Sequence, residues 1–405
     1  MKYIYINNKS SVAIEGEDDT LKVFIDGSEH TKFEEPNLKK EDYAQATKRK
    51  KYALFLNYQF ENLIVLTGAG SSKDIGKDEK KGKILTELWD DVEAKLTTVI
   101  FNKLCEVVNY KDKYPNGEII KNLEKLLSLA NTAKDYKTTD EVDIVKCVAD
   151  IKLLIIDACT ITLPENSPHS ILLNKITKRK VTLPRFKLFT LNYDTLFEQA
   201  GWQSNFTIID GFSFSIPRVF SGRNFDLDIV SRNNSRVKEE DNFIQKVFHL
   251  YKPHGSIDWC SEKNMIMQKE NVVAPLMIYP NQSKYESSYE QPYFEMMSRF
   301  QQNLRNENVL LICIGFSFGD KHIVTAIKEA LEQNPSFQLM VINKGIDENN
   351  INLKPFIDAS KQHQNLVFVD EIFEDFAKYF PDLKSYSQED AKKIVINLNP
   401  NGNEA

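Results

Sequence analysis

The sequence predicts an α/β fold: a Rossmann-like parallel sheet with helices on both faces, a helical insertion and a small N-terminal β appendage. Three observations predict it. Short apolar runs of strand length recur along the chain, with helical patterns between several of them, and strands alternating with helices imply a parallel sheet covered on both sides. Residues 82–165 carry helical spacing and no strand pattern. Residues 1–35 hold β-branched and aromatic runs separated by turn-prone pairs.

Taken in order, Lys2–Ile6, Ser11–Ile14 and Leu21–Ile25 are the strands of the appendage, punctuated by Asn7-Asn8 and Asp26-Gly27. With the linker it occupies residues 1–55. The linker contains a charged stretch, 38–52, ending in Lys48-Arg49-Lys50-Lys51, which reads as a solvated helix face or, alternatively, a contact for an acidic partner. A single α/β domain follows over 56–385. Its first strand, Leu63-Ile64-Val65-Leu66, runs straight into Thr67-Gly68-Ala69-Gly70-Ser71-Ser72. Leu85, Leu88, Trp89, Val92 and Leu96 then mark one face of a helix. Ile120, Leu123, Leu126 and Leu127 suggest a second helix, and Val142–Ile156 a third. Asn166-Ser167-Pro168 is a helix start, a capping residue before a proline at the first helical position, with His169 in a capping or packing role. The remaining strands are Lys187–Leu191, Phe206–Ile209, Val247–Tyr251, Val309–Ile314, Gln338–Ile342 and Leu366–Val369. Residues 386–405 form a tail whose polar end, Asn399–Ala405, is expected to fray.

Composition narrows the function classes. The 405 residues are 41% hydrophobic and carry a formal net charge of −6, which argues against a protein that works by neutralising nucleic-acid phosphates. No apolar run is long enough to span a bilayer, so no membrane role is expected. Met1-Lys2-Tyr3-Ile4-Tyr5 lacks the apolar core of a signal peptide. Cys105, Cys147, Cys159, Cys260 and Cys313 are odd in number and scattered, which fits a reducing cytoplasm and leaves no CxxC pair.

The strand ends carry the chemistry. Glycines in Gly68–Ser72 permit close backbone approach, and free N–H groups at a helix start attract phosphate. A hydride-transfer fingerprint is disfavoured: Lys73 stands where a third glycine is needed, and Asp90 and Asp91 lie inside a helical pattern. Asn192 and Asp194 follow the strand that ends at Leu191, where ligands sit in open α/β sheets, although capping of the next helix explains them too. His254, next to Gly255, follows Val247–Tyr251, and its imidazole suits proton exchange near neutral pH; His249 within that strand reads as core. Gly315-Phe316-Ser317-Phe318-Gly319-Asp320 and Asn343 complete the set. In a doubly wound sheet these ends converge on one crevice.

Together the motifs resemble the sirtuin family. Gly68–Ser72 looks like its phosphate loop, Thr190–Asp194 its Thr-x-Asn-x-Asp, His254-Gly255 its His-Gly, Gly315–Ser317 its Gly-x-Ser, and Asn343 its following asparagine. The resemblance spans roughly residues 60–370. It implies an NAD-binding core in which Gly68, Ala69, Gly70 and Ser72 hold the pyrophosphate. It also implies that Asn192 binds the nicotinamide-side ribose and orders a water, that Asp194 sits near the carboxamide, and that His254 is the general base. Gly315, Ser317 and Asn343 would line the adenosine end. Deacetylase sirtuins hold a zinc with two CxxC pairs after the His-Gly motif, whereas here only Cys260 follows closely, so no metal is expected. Lys73–Lys77 also lacks the Pro-x-Phe-Arg of the deacetylase cofactor loop. The chain is more similar to the sirtuin-like NAD hydrolases of bacterial anti-phage defence, which share Lys-x-His-Gly-Ser with a following aromatic (Lys252–Ser256, Trp259) and Gly-x-Ser-x-x-Asp (Gly315, Ser317, Asp320). Asp320 could line the pocket or cap the next helix. The resemblance implies NAD+ as substrate, a homo-oligomer, and a partner such as a HerA-type ATPase or an Argonaute-type protein. The alternatives are an NAD-dependent protein deacylase and a non-enzymatic NAD or ADP-ribose sensor.

Overall fold

The computed structural model describes residues 1–17, 20–33, 39–57, 60–114, 116–136, 142–180, 182–231, 243–279 and 290–383. The C-terminal segment 386–405 lies outside the described residues. Four N-terminal strands, β1 (Lys2–Asn7), β2 (Ser10–Glu15), β3 (Lys22–Ile25) and β4 (Ser28–Glu29), precede helix α1 (Lys40–Leu56). Strand β5 (Asn62–Thr67) leads to α2 (Leu85–Leu96), α3 (Thr98–Val107), α4 (Leu123–Ala133) and α5 (Ile144–Cys159). Then come α6 (Pro168–Ile176), β6 (Lys187–Thr190), α7 (Leu196–Gln203), β7 (Thr207–Ile209), β8 (Arg218–Val219), β9 (Val247–Tyr251), β10 (Trp259–Glu262) and β11 (Met265–Gln268). The chain continues through α8 (Tyr293–Leu304), β12 (Val309–Ile314), α9 (Lys321–Gln333), β13 (Gln338–Asn343), α10 (Lys354–Ser360), β14 (Leu366–Asp370) and α11 (Phe373–Tyr379).

Eleven strands form one sheet in the order β4-β3-β2-β1-β14-β13-β12-β5-β6-β9-β7. From β14 to β7 every pairing is parallel. Strand order runs outward in opposite senses from β5 and β12. That reversal is the switch point at which doubly wound sheets open a crevice beyond the carboxyl ends of their strands. Alternation within the central strands divides the core in two. Leu63, Val65, Leu310 and Ile312 join a cluster with α1, α6, α7 and α11 on one face. Ile64, Leu66, Leu311 and Cys313 join a cluster with α8, α9 and α10 on the other. Strands buried on both faces read as unbroken apolar runs, which is why they were legible.

The N-terminal strands continue this sheet rather than standing beside it: β1 pairs antiparallel with β14, Tyr5 opposite Val369 and Ile6 opposite Phe368. The expectation for the basic run in α1 is overturned. Lys48 is only 1% exposed. Its Nζ donates to the Asp370 carbonyl at 2.7 Å and pairs with Glu371 at 3.6 Å. Arg49 binds Glu371 at 2.9 Å and lies over the Tyr379 ring, and Lys51 binds Asp26 at 2.8 Å. These cations fasten α1 to the sheet, and only Lys50 remains exposed.

Helices α2–α5 pack around their own core of Leu88, Trp89, Phe101, Leu127 and Ile151. The module rests on the main domain through Tyr193, Ile257, Met277 and Tyr279. No helix among the described residues is long and apolar enough to cross a membrane. Helix α6 starts as expected, with Ser167 Oγ accepting the Ser170 N–H at 3.2 Å and Pro168 in the first turn. His169 packs rather than caps. It lies edge-on to Phe197 and Phe373, fully buried, and neither ring nitrogen has a hydrogen-bond partner among the described residues.

Burial pushes His169 down to about 3. The unfolded chain takes up a proton near pH 6.5 and the folded chain does not, so stability falls as pH drops from 6.5 toward 3. Urea denaturation across this window is expected to lose on the order of 3–5 kcal/mol through this group. His169→Leu should remove that share of the slope while leaving stability at pH 8 nearly unchanged.

Candidate functional site

The site is built at the switch point. Strand β5 ends at Thr67, and Ala69–Ser71 form a single 3-10 turn. Strand β12 lies beside it and ends in the loop Gly315–Asp320. The two loops meet backbone to backbone: the Gly70 N–H donates to the Gly315 carbonyl at 3.0 Å, and the Gly68 N–H to that of Ile314 at 3.0 Å. A Cβ at Gly70 would stand 2.6 Å from Gly315 Cα, and one at Gly68 would stand 2.7 Å from the Gly315 oxygen. Gly315 itself has φ +60°. The glycines are therefore required by the approach of one loop to the other. The N–H groups of Gly68, Gly70, Ser71, Ser72 and Lys73 all donate to backbone carbonyls, and that of Ala69 finds no acceptor among the described residues. This differs from the expected row of free N–H groups at a helix start, because Gly68 and Gly70 donate across to Ile314 and Gly315, the next three donate within the turn, and the next helix begins only at Leu85.

Asn192 faces this loop from the end of β6. Its Nδ2 lies 3.0 Å from the Gly68 oxygen, 3.1 Å from Ser71 Oγ and 2.7 Å from Ser72 Oγ. Ser72 Oγ in turn donates to Asp194 Oδ2 at 2.7 Å. The other Asp194 oxygen accepts the Leu196 N–H at 3.1 Å, so this buried carboxylate both starts α7 and anchors the glycine loop. The capping reading of Asp194 is realised, and the same carboxylate also holds Ser72 of the glycine loop. Asn343 reaches across from β13, its Nδ2 donating to the Phe316 carbonyl at 2.8 Å, and so fixes the Gly315 loop from its far side. Ser317 is exposed at the tip of that loop.

His254 follows β9. Its Nε2 lies 3.1 Å from Asp320 Oδ2, with side-chain exposures of 16% and 9%. Asp320 also caps α9, Oδ1 accepting the N–H groups of His322 and Ile323 at 3.0 and 3.2 Å. A cavity of about 210 Å³ opens beside the pair. Its walls are largely apolar, with Ile278, Tyr293, Phe294, Met297 and Ile323, and His322 contributes to its rim. Asn192, Asp194, Ser317 and Asn343 do not line it. The structure thus joins Asn192, Asp194 and the glycine loop directly, and links His254 to them through Asp320 at the end of the Gly315 loop.

The residue that sequence reasoning left without a role is Lys252. Its ammonium is buried beneath both loops, 2.9 Å from Glu198 Oε1 and 2.7 Å from Ser256 Oγ, and it also donates to the carbonyls of Tyr193 and Asp194. Burial opposes its charge, but Glu198, Asp258 and Asp194 outweigh that and hold it above the usual lysine range. Burial pushes Glu198 up to about 7, against the pull of Lys252. The signal available in sequence was an apolar strand ending in lysine, which calls for a buried counter-charge.

After Gly255 the chain forms β10 and β11, which join β8 in a three-stranded antiparallel sheet of order β10-β11-β8. Trp259 packs on Phe212, 5.2 Å between ring centroids, and Arg218 binds Asp210 at 2.8 Å. Cys260 lies in β10, whereas Cys313 lies inside the main sheet. Among the described residues no group of three His, Cys, Asp or Glu side chains is placed to hold a metal ion. Burial pushes the thiols of Cys105 and Cys159 up to about 11 and 12, which makes them poor nucleophiles.

Residues 187–355 match the SIR2-like domain. This SIR2-like stretch runs from β6 into α10 and contains Asn192, Asp194, His254, Ser317, Asp320 and Asn343; the glycine loop precedes it. Among solved structures, the chain is similar to one described as Sir2 with a p53 peptide and NAD+ (11% identity, 81% of this chain and 95% of that chain covered, TM-score 0.38). It is also similar to a mutant Sir2 homologue in complex with ADP-ribose (14% identity, 82% and 95% covered, TM-score 0.37). No curated protein matches the chain.

Two substitutions test this geometry. Gly70→Ala must drive the β5 and β12 loops apart and is expected to cost about 1–3 kcal/mol in urea denaturation; wild-type stability would mean that the loops do not touch. Lys252→Met leaves Glu198 and two carbonyls buried without their cation, an expected loss of about 3–5 kcal/mol by the same measurement.

Proposed function

We propose that the protein is an NAD+ glycohydrolase that cleaves NAD+ to ADP-ribose and nicotinamide. The observation that carries the reading is the contact between the β5 and β12 loops, one of which holds an amide, Asn192, while the other ends in the carboxylate that faces an imidazole, His254. The match of 187–355 to the SIR2-like domain supports an NAD-related activity. In the reaction the bond between the ribose C1′ and the nicotinamide nitrogen breaks, water oxygen bonds to C1′, and the water's proton leaves to a base. The transition state is oxocarbenium-like and its leaving group is a neutral pyridine, so the protein's work is to position ribose and water and to accept a proton. Asn192 spends its N–H donors on Gly68, Ser71 and Ser72, and its Oδ1 accepts no hydrogen bond from the described residues. That oxygen is suited to a ribose hydroxyl or a water. His254 acts as the general base. Asp194 serves by fixing Ser72, and through it Asn192. Gly68, Ala69, Gly70, Ser72, Gly315, Ser317 and Asn343 form the proposed dinucleotide cradle.

By resemblance to the defence hydrolases, we propose that this activity depletes NAD+ in the bacterial cytoplasm during phage infection. It would be held in check by homo-oligomerisation and by a partner such as a HerA-type ATPase or an Argonaute-type protein. The apolar cavity beside His254 favours one second reading, an NAD-dependent deacylase, because its walls suit an acyl chain. A sensor that binds NAD or ADP-ribose without turnover would need no general base.

The test is NAD+ turnover by the purified protein, alone and with co-purifying partners, followed as nicotinamide released. Asn192→Ala and His254→Ala are each expected to lower it ~10²–10⁴-fold. Wild-type rates in both variants would overturn the proposal. Deacylation of an acetylated peptide without net hydrolysis would favour the second reading.

A further inference from the structure

We infer that Asp320 is a positioning residue that fixes His254 in one tautomer, with the proton on Nε2 and the lone pair on Nδ1. The geometry carries this. Asp320 Oδ2 lies 3.1 Å from His254 Nε2, within the donor–acceptor distance of an N–H···O bond. The same carboxylate is locked in place by its other oxygen, which accepts two N–H groups from the first turn of α9. It therefore sits at the positive end of a 13-residue helix, where the ionised form is favoured. A carboxylate can only accept, so the nitrogen facing it must carry the hydrogen. His254 Nδ1 has no partner among the described residues and is the nitrogen left to take a proton.

The loop is built to hold this arrangement. Phe318 adopts φ +58°, a conformation that bulky residues avoid, and it is held there by packing against Phe316 and Phe356 at 4.8 and 4.9 Å between ring centroids. Two residues later the chain delivers Asp320 to the imidazole. On the far side, the His254 carbonyl accepts the Ile278 N–H at 2.8 Å, and Gly255 at φ +86° lets Leu276 approach the backbone, where a Cβ would stand 2.2 Å from its carbonyl oxygen. Both partners of the pair are thus set by backbone. An orienting carboxylate behind a histidine is a recurring device wherever one ring nitrogen must be presented as a base.

The inference deepens the hydrolase reading and rests on it only for its kinetic arm. The variant is Asp320→Asn, which keeps a side-chain oxygen to cap α9 but can present its amide hydrogens to Nε2. That would favour the opposite tautomer. The first measurement is the two-bond nitrogen–proton correlation spectrum of histidine-labelled protein, with the His254 signals identified by their loss in His254→Gln. Wild type is expected to show a protonated Nε2 and a bare Nδ1, and Asp320→Asn to lose that pattern. The second measurement is steady-state NAD+ turnover, where kcat is expected to fall ~10²–10⁴-fold with KM changed by less than about threefold. Asp320→Glu should recover part of kcat, whereas Asp320→Ser, which caps but cannot pair, should not. A wild-type spectrum with the proton on Nδ1, or an Asp320→Asn enzyme with wild-type kcat, would overturn the inference. The expected spectra in a protein that does not turn over NAD+ would support the Asp320–His254 pair and count against the hydrolase reading.

Discussion

The constraint on which the crevice depends is the backbone contact between Gly70 and Gly315. Strands β5 and β12 are parallel neighbours, Leu66 beside Cys313 and Thr67 beside Ile314, so their chains emerge at the same height on the same edge. Two loops leaving a sheet side by side would normally be held apart by their side chains. Glycine on both sides lets the peptide planes meet, and the Gly70 N–H to Gly315 carbonyl bond closes the gap. Everything polar around the crevice is referenced to that closure. Asn192 is placed by its bonds to the glycine loop, Asn343 by its bond to the Gly315 loop, and Asp320 by being the last residue of that loop before α9.

Charge is handled by burying cations with their acceptors rather than by exposing them. Lys252 ties the loop after β6 to the loop after β9, and Lys48 ties α1 to the end of β14. In both cases the ammonium meets backbone carbonyls as well as a glutamate. Removing either the lysine or its glutamate would leave the other charge buried and unpaired, so each joint depends on both partners. The helical module touches this machinery at Tyr193 and Ile257, the residues that follow Asn192 and Ser256. Its core is therefore continuous with the backbone that carries both proposed functional side chains.

The strands of the sheet and the helices of the insertion were readable because each needs only a local pattern. Val309–Ile314 is an apolar run buried on both faces, and Leu85–Leu96 is a periodic stripe. The placement of the motifs at strand ends was readable for a similar reason, since each follows directly on an apolar run. What was not legible depends on distant partners. The basic run at Lys48–Lys51 looked solvated because Glu371, which binds Arg49, lies 322 positions away. The glycines of the β5 loop also have Gly315 pressed against them, a contact that no local pattern in the sequence shows. Asp320 does both things its sequence position allows, with Oδ1 capping α9 and Oδ2 facing His254 beside the cavity, and the second depends on a residue 66 positions away.

The ends of the great sheet bear on how copies of this chain can meet. It finishes in β4, two residues long, on one side and in β7, three residues long, on the other. An incoming strand needs a row of vacant N–H and carbonyl groups to copy, and strands this short offer almost none. Growth of the sheet across a molecular boundary is thereby discouraged among the described residues. Self-association, where it happens, is left to side-chain surfaces such as the outer faces of the helices.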